Sequence, residues 1–551
     1  MLERFLKQVE FSSWDDFCGK FSIRAPEGFN FAFDVVDELA VKCPNGRALV
    51  WCNDHGERAE FTFAQMAAES AKMAHALKSL GIRKGDFVML VLKRRYEFWF
   101  CLLALHRIGA VAVPATHLLT SKDIAYRCQA ADIKAVITVP DERILDQVRL
   151  AEPQSPTLKI KALAHGQAEG WISLDALAAD YEPVFPRGEG DENAGGPDPL
   201  LTYFTSGTTG MPKMVMHDHT YPLGHILTAR YWQNARKGGL HLTVADTGWA
   251  KTAWGKIYGQ WLCESAVMAY DMDRFEPHRL LEVVSRERVT TFCAPPTVFR
   301  YLIKEDLSQY DLSAVEYCVV AGEPLNPEVY QAWLRGTGLR LMEGFGQTET
   351  VVSIANYPWF EPRPGSTGRP SPGWNVDLLN DDGAPCDPGE PGEIVIYTGG
   401  EPPVGLFRGY YRDEELTASV WSHGVYHTGD LAWRDEDGYY WFLGRADDII
   451  KTSGYRVGPF EVESVLLEHP AVTECAVTGV PDDMRGQAIK ATCVLSKGYE
   501  PSDELVRELQ DHVKTATAPY KYPRIVEFVQ ELPKTISGKV KRNTIRDQDT
   551  C

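Results

Sequence analysis

Thr205-Ser206-Gly207-Thr208-Thr209-Gly210-Met211-Pro212-Lys213 follows a short apolar run, Leu200-Leu201-Thr202-Tyr203-Phe204, that reads as a buried strand. Small hydroxyl residues alternate with glycines, and the segment ends in lysine. A glycine-rich turn lets consecutive backbone N–H groups point into one concavity, which suits an anion. Hydroxyls add donors and Lys213 adds a point charge, so the natural guest is a polyphosphate. The spacing is not that of a Walker loop, which needs four residues between its glycine and a Gly-Lys-Ser/Thr end. Here Lys213 follows Pro212 and no Ser or Thr comes next. Taken alone, the loop is as well read as a ligand-free surface turn, and the rest of the chain decides.

Outward from the loop, hydrophobic patterning alternates between helix and strand. Residues 62 to 80 read as an amphipathic helix capped by Thr62 and stopped by Gly81. Phe87–Leu92 reads as a strand, Tyr96–Ile108 as a helix closed by Gly109, and Ala110–Pro114 as the next strand. That is a βαβ unit, the building block of a parallel sheet. Ile133–Val139 adds a strand, and a polar Gly/Pro linker over 186–198 leads to the loop. Beyond it, Pro277–Val289 is helical and Thr290–Cys293, Val315–Val320 and Leu339–Met342 are strands. The last two run into Ala321-Gly322-Glu323-Pro324 and Glu343-Gly344-Phe345-Gly346-Gln347-Thr348-Glu349-Thr350. Ligands of open α/β sheets sit beyond the carboxyl ends of strands, so these polar turns and the loop point to one shared site. Past residue 370 the texture becomes short strands and turns, a small β subdomain. The final hundred or so residues read as a separate unit: helices over Glu461–Leu467 and Asp503–Val513, strands over Glu474–Val480, Ile489–Leu495 and Arg524–Phe528.

A chain of 551 residues is long enough for two or more domains, and 44% hydrophobic with 24% charged residues fits a soluble enzyme. A net charge of −19 argues against nucleic acid and anionic membrane as partners, so an anionic ligand needs a local basic site. Twelve scattered cysteines form no C-x-x-C pair and no zinc spacing, which suits reduced, buried thiols. The first residues lack a signal peptide's apolar core, and Glu3, Glu10, Asp15 and Asp16 argue against a transit peptide. No apolar run is long enough to span a bilayer. These features lead us to expect a cytoplasmic protein without integral membrane association. From Pro533 to Arg546, Lys534, Lys539, Lys541, Arg542 and Arg546 occur with no acid. A phosphate-directed tip is one reading of that run; on charge alone a solvated tail is the better one.

Six motifs now stand in order: Thr205–Lys213, Ala321–Pro324, Glu343–Glu349, Tyr426-His427-Thr428-Gly429-Asp430, Gly444-Arg445-Ala446-Asp447-Asp448 and Ile536-Ser537-Gly538-Lys539. Together they resemble the signatures of the acyl-adenylate-forming superfamily, over nearly the whole chain from about residue 30. Asp246-Thr247-Gly248-Trp249 and Gly454-Tyr455-Arg456-Val457-Gly458-Pro459 look most like the medium-chain acyl-CoA synthetase branch. The resemblance implies an α/β fold: a large N-terminal domain over residues 1–446, with parallel sheets and a small β subdomain, and a mobile α+β lid over 447–551. Asp447 matches the hinge.

The implied reaction joins a carboxylic acid to ATP as an acyl-AMP and then to the thiol of coenzyme A, with Mg²⁺ assisting. By the same resemblance, Lys539 sits between the carboxylate and the α-phosphate, Thr348 donates to that phosphate, and Glu349 holds Mg²⁺. Asp430 accepts from the ribose hydroxyls and Arg445 assists there. Phe345 stacks on adenine, opposite Gly322, Glu323 and Pro324, with Glu343 and Gly344 in the same motif. Thr205, Ser206, Gly207, Thr208, Thr209, Gly210 and Lys213 cradle phosphate. Gly454 and Tyr455 flank the pantetheine path, and Arg456 faces phosphate. Each residue also has a plain reading: Glu349 as a helix N-terminal acid, Asp430 as a turn residue, Phe345 as core, Gly454 as a turn glycine, Lys539 as a solvated lysine. His217, Trp249, Trp254, Gly255, Gly322 and Gly346 are candidate walls of the acyl pocket. Acetyl-CoA synthetases carry tryptophan where this chain has Gly346, so glycine is expected to open the pocket to a medium-chain, branched, alicyclic or aryl acid. Lys256 reads as a surface lysine, because lysine is almost never fully buried unless paired. Two other functions fit the motifs: a ligase loading acyl-AMP onto a carrier-protein thiol, and a non-catalytic ATP or acyl sensor. A homo-oligomer is compatible with all three.

Overall fold

The computed structural model describes residues 1–205, 211–400, 402–453, 455–482, 484–534 and 540–549, without the side chains of Arg456 and Pro519. Residues 206–210, Gly454 and Lys539 of the expected site therefore lie outside the described residues.

Local sequence signals set many of the elements. The helix Phe63–Ser79 begins at Thr62, whose side chain accepts from Gln65 N–H while Gln65 returns a bond to Thr62 N–H. This capping box satisfies two donors that the first turn leaves orphaned. The helix Glu97–Ile108 ends at Gly109, which takes φ 78° and closes the C-terminus as a left-handed cap. The strands Phe87–Val91, Val111–Pro114 and Ala135–Thr138 are buried at every position, as parallel strands covered on both faces must be.

Among the described residues there are four sheets. The first runs Ile172–Ser173, Ile160–Leu163, Ala135–Thr138, Phe87–Val91, Val111–Pro114, Pro199–Thr205, Lys213–Asp218. It is parallel except for its last pair, a hairpin in which Thr205 faces Lys213 across the loop. The second has nine strands, with a parallel centre of Leu341–Phe345, Tyr317–Ala321, Thr291–Ala294, Leu240–Thr243, Ala266–Asp271 and Arg47–Asn53. The strand Leu341–Phe345 extends through Glu343 and Gly344, which face Val320 and Ala321. Those residues are thus strand, not turn, because the parallel partner continues to supply backbone bonds.

The third sheet, antiparallel, is the small β subdomain and carries Asp430 on Val425–Arg434 beside Arg445 on Tyr440–Arg445. It is joined to the body by a backbone contact between Gly224 and Gly405. A Cβ on Gly224 would stand 2.7 Å from the Gly405 Cα and 2.8 Å from the Val404 carbonyl oxygen. The fourth sheet forms a separate C-terminal domain with its own apolar cluster, including Ile450, Val462, Leu466, Val477, Ile489 and Leu509. Its helix Pro459–Glu468 docks on the large domain where Asn326 donates to the Ser464 carbonyl at 3.0 Å and hydroxyl at 3.1 Å.

Within the basic C-terminal run, Lys534, Arg542 and Arg546 are paired. Arg542–Asp549 is a helix with Ile545 buried. Lys534 pairs with Glu474, Arg542 with Glu463 and Arg546 with Asp448. Three of the five basic residues of the run are thus answered by acids distant in sequence.

Candidate active site

The turn after Leu341–Phe345 and the tip of the β subdomain meet through one glutamine. Gln347 Nε2 donates to the Asp430 carboxylate at 2.5 Å and to the Thr428 carbonyl at 2.8 Å. Its Oε1 accepts from the Tyr426 hydroxyl at 2.7 Å. Asp430 is buried, and its other oxygen lies 3.4 Å from Arg445 Nη1, which also donates to the Thr428 carbonyl. Burial opposes the Arg445 charge, but Asp430, Asp447 and Glu349 nearby hold its pKa above the usual value. An aspartate so aligned, with an arginine beside it, is a fixed acceptor rather than an ordinary turn residue.

Glu349 sits one turn away. Its Oε1 accepts from the Tyr410 hydroxyl at 2.8 Å, and its carbonyl from Phe407 N–H at 2.8 Å. Burial, then the Glu349 charge, pushes the Tyr410 phenol up, so it stays a donor. Lys213 Nζ lies 5.2 Å over the Tyr410 ring, a cation–π distance. Tyr410 therefore ties the lysine that ends the loop to the carboxylate of a motif 136 positions onward. Thr348 is half-buried, and its carbonyl accepts from His217 Nε2 at 2.8 Å. Burial holds His217 down to about 3, so the ring is neutral and donates; it stacks on Tyr221 at 3.7 Å. His217 is thus a support beneath Thr348.

On the opposite side, Phe345 is half-buried, its ring 6.0 Å from Phe442. Gly322 is exposed, while Glu323 and Pro324 are half-buried; Glu323 accepts from the Thr297 hydroxyl and from Arg300. Gly344 lies against the Trp232 indole, which a Cβ would meet at 2.6 Å. Glu343 is buried, and burial raises it to about 8, so it is a neutral acid at pH 7. Its Oε2 has no hydrogen-bond partner among the described residues. Tyr455 is exposed and stacked on Tyr520 at 4.0 Å.

The acyl-pocket candidates divide. A Cβ on Gly346 would lie 2.5 Å from Trp254 Cη2 and 2.5 Å from the Val351 carbonyl oxygen. The space that glycine vacates is occupied by an indole from another element, which corrects the simple expectation of an opened pocket. Trp254 in turn packs edge-on to Trp232. Trp249 is half-buried beside them in sequence. Gly255 faces away: a Cβ there would strike Thr243 Oγ1 at 1.9 Å, so it is a packing glycine against the sheet, not a wall. Lys251, unremarked in the sequence, donates to the Ala321 carbonyl at 2.5 Å and lies 3.4 Å from a Gly322 Cβ position. Lys256 is not a surface lysine. It is 1% exposed, and burial, aided by Arg94, lowers it to about 7. Chain topology carries it under the sheet, which side-chain type does not reveal.

Tyr410, Tyr426 and Gln347 are the residues that sequence reasoning missed. Gln347 and Tyr426 had a visible signal, lying within the Glu343–Glu349 and Tyr426–Asp430 motifs; Tyr410 had none.

The sequence matches the family model described as AMP-binding enzyme over residues 36–411, and the model of that enzyme's C-terminal domain over 461–539. Among curated relatives, mouse acyl-coenzyme A synthetase ACSM3, mitochondrial, is 41% identical over 552 aligned residues, covering 98% of this chain and 94% of the relative. Human acyl-coenzyme A synthetase ACSM4, mitochondrial, is 41% identical, covering 95% and 91%. Among solved structures, an anthranilate CoA ligase, AuaEII, in complex with anthranoyl-AMP superposes with a TM-score of 0.87 at 30% identity, covering 96% of this chain and 98% of that one. A benzoate CoA ligase from Burkholderia xenovorans LB400 gives 0.82 at 25%, covering 94% and 100%. The mitochondrial names of these relatives overturn the cytoplasmic expectation. The acidic N-terminal residues spoke only against a leader within those residues, and the composition of a folded enzyme does not encode its compartment. No helix among the described residues is long and apolar enough to cross a membrane. With both family models matched in order, and relatives aligned along nearly its full length, the chain belongs to the AMP-binding enzyme family, as an AMP-forming acid–CoA ligase of the acyl-CoA synthetases.

Proposed function

We propose that the enzyme activates a compact carboxylic acid, branched, alicyclic or aryl, in two steps that share one cleft. The observation that carries the substrate class is the Trp254 indole seated on Gly346. A flat aromatic wall there leaves width but little depth, which favours a short, broad acyl group over a long straight chain. Anthranilate and benzoate are the acids named for two structural neighbours, in keeping with that shape.

A free carboxylate is an anion and a poor electrophile. In the first step its oxygen attacks the α-phosphorus of ATP, pyrophosphate leaves, and the acyl carbon becomes a mixed anhydride. In the second, the sulfur of CoA, deprotonated, attacks that carbon and AMP leaves. Both steps gather negative charge, so fixed cations and donors dominate catalysis. Lys539 would offset repulsion between carboxylate and phosphate, and Thr348 would donate to the α-phosphate from a backbone supported by His217. Asp430, aligned by Gln347, would receive the ribose hydroxyls, with Arg445 alongside. Glu349 offers one hard carboxylate, steadied by Tyr410. That fits Mg²⁺, which keeps most of its waters and takes one or two protein carboxylates plus phosphate oxygens; bound there, it would neutralise phosphate charge. A small domain beginning at residue 447 would turn about Asp447, presenting Lys539 for the first step and the Gly454–Arg456 segment for the second.

The test is pyrophosphate and AMP release across acetate, butyrate, 2-methylpropanoate, octanoate, benzoate and cyclohexane carboxylate, with and without CoA. Highest kcat/KM for a branched or cyclic acid is expected. Octanoate as the best substrate would refute the pocket reading, and CoA-independent turnover to free acyl-AMP would favour carrier loading.

A further inference from the structure

The chain crosses between the domains at Ala446, Asp447 and Asp448, and its anchors there are unequal. On the large-domain side, Ala446 N–H donates to the Gly429 carbonyl at 2.9 Å, and Arg445 Nε stands 3.8 Å from the Asp447 carboxylate. On the small-domain side, a single guanidinium nitrogen, Arg546 Nη1, donates to the Asp447 carbonyl at 3.1 Å and to Asp448 Oδ1 at 2.8 Å. Arg542 lies 3.7 Å from the other Asp448 oxygen and forms a bidentate pair with Glu463, which also caps Val477 N–H at 2.8 Å. Both arginines belong to the C-terminal helix Arg542–Asp549, pinned by buried Ile545. That helix starts three residues after Lys539.

We propose that Arg546, backed by Arg542, is a positioning residue that fastens the Asp447–Asp448 peptide to the C-terminal helix, so that the small domain turns as one lever. The proposal rests on the two-step reading with Asp447 as pivot. The carbonyl of Asp447 lies beyond both of that residue's soft torsions, so whatever holds the carbonyl rotates with the small domain. With Ala446 held at one end and the carbonyl at the other, only the torsions of Ala446 and Asp447 remain free between the anchors. One further bond, Asp448 N–H to the Arg445 carbonyl at 3.0 Å, spans the pivot and must open in a large swing. Without the latch, slack extends past Asp448, and every group the lever carries arrives less accurately. Positioning errors of this kind are costly for catalysis while ground-state ligand binding is spared.

The test separates the half-reactions, using benzoate or 2-methylpropanoate, whichever wild type turns over faster, and the matching synthetic acyl-AMP. Arg546→Ala should slow both pyrophosphate release and thioester formation about five- to tenfold, as loss of charge-assisted bonds implies. Equilibrium affinity for ATP should stay within about twofold, because the nucleotide rests on the large domain. Asp448→Asn, isosteric and gentle on folding, should slow both steps in the same direction, and the double variant should lose clearly less than the product of the two single losses, since the two groups share a bond. Arg546→Lys should recover part of the rate. Asp447→Pro, which fixes φ, should block thioester formation. Wild-type rates for Arg546→Ala and Asp448→Asn beside a blocked Asp447→Pro would overturn the latch and leave the pivot standing. An unimpaired Asp447→Pro would overturn the pivot itself. Multiplying losses in the double variant, or ATP affinity falling in step with rate, would overturn the positioning role.

Discussion

Replacing Trp254 by alanine empties the space that its indole fills over Gly346, and both consequences can be sized. An aromatic side chain buries roughly 200 Å², which at about 25 cal/mol per Å² is worth about 5 kcal/mol. Measured Trp→Ala losses of about 3–5 kcal/mol agree, so the variant should be less stable by about 4 kcal/mol. An acyl chain that reaches into the vacated volume recovers about 0.8 kcal/mol per methylene, or about fourfold in kcat/KM. Between butyrate and heptanoate, three methylenes apart, the preference should therefore move about sixtyfold toward heptanoate. The assay is coupled pyrophosphate release with both acids at saturating ATP. Trp254→Leu keeps more apolar volume and should shift the ratio in the same direction by less, which guards against a variant that simply fails to fold. The KM for ATP should not move, since among the described residues no hydrogen bond or ring contact joins the Trp254 side chain to Asp430, Gln347 or Arg445. A heptanoate-to-butyrate ratio unchanged within about twofold, in folded protein, would refute the claim that this indole bounds the pocket.

Tyr410→Phe deletes the donor to Glu349, a bond to a charged group worth about 1.5–3 kcal/mol; the Mg²⁺ concentration for half-maximal pyrophosphate release should rise at least tenfold, with little change in acid preference. Lys539→Ala should abolish acyl-AMP formation while sparing CoA attack on supplied acyl-AMP, and equal loss of both steps would contradict its role. Glu343 gives a pH signature. Its folded pKa is raised to about 8 from 4.5, so between those values the folded state holds a proton that the unfolded state has released, and stability falls as pH rises. The melting temperature of Glu343→Gln should decline less than that of wild type from pH 5 to 8; parallel curves would show that the acid is not buried in solution.

Helix boundaries were legible where the signal is local. Thr62 with Gln65, and Gly109 after Ile108, mark their own helix ends because cap bonds span three or four residues. The ordered motifs likewise gathered Glu349, Asp430 and Arg445 into one expected site. Side-chain direction was not legible. Nothing in the sequence shows that Gly255 faces Thr243 while Trp254, one residue earlier, lies on Gly346 from 92 positions away. Lys256 and the basic C-terminal run mislead for the same reason. A lysine's exposure, and the partners Glu463, Glu474 and Asp448, depend on chain crossings that composition does not encode. Tyr410 sits among the 23 tyrosines of the chain, and only its hydroxyl bond to Glu349 singles it out; Tyr426 opens a motif, but its bond to Gln347 shows only in the fold.

The Gly224–Gly405 contact sets two backbones against each other, with the Val351 side chain packed against both glycines. Such a seam behaves as a welded joint: neither glycine has a side chain of its own to shift, and Val351 fills the space beside them. Beyond Gly405 the same loop bonds to the strand Lys213–Asp218, where Arg408 N–H donates to the Met216 carbonyl at 2.8 Å and Met216 N–H to the Gly409 carbonyl at 3.2 Å, so the β subdomain is held to the sheet whose hairpin carries Lys213 and the travel proposed above is left to the C-terminal unit. A methyl group at either glycine would prise the seam apart and misalign ribose and phosphate grips together, at a distance from both.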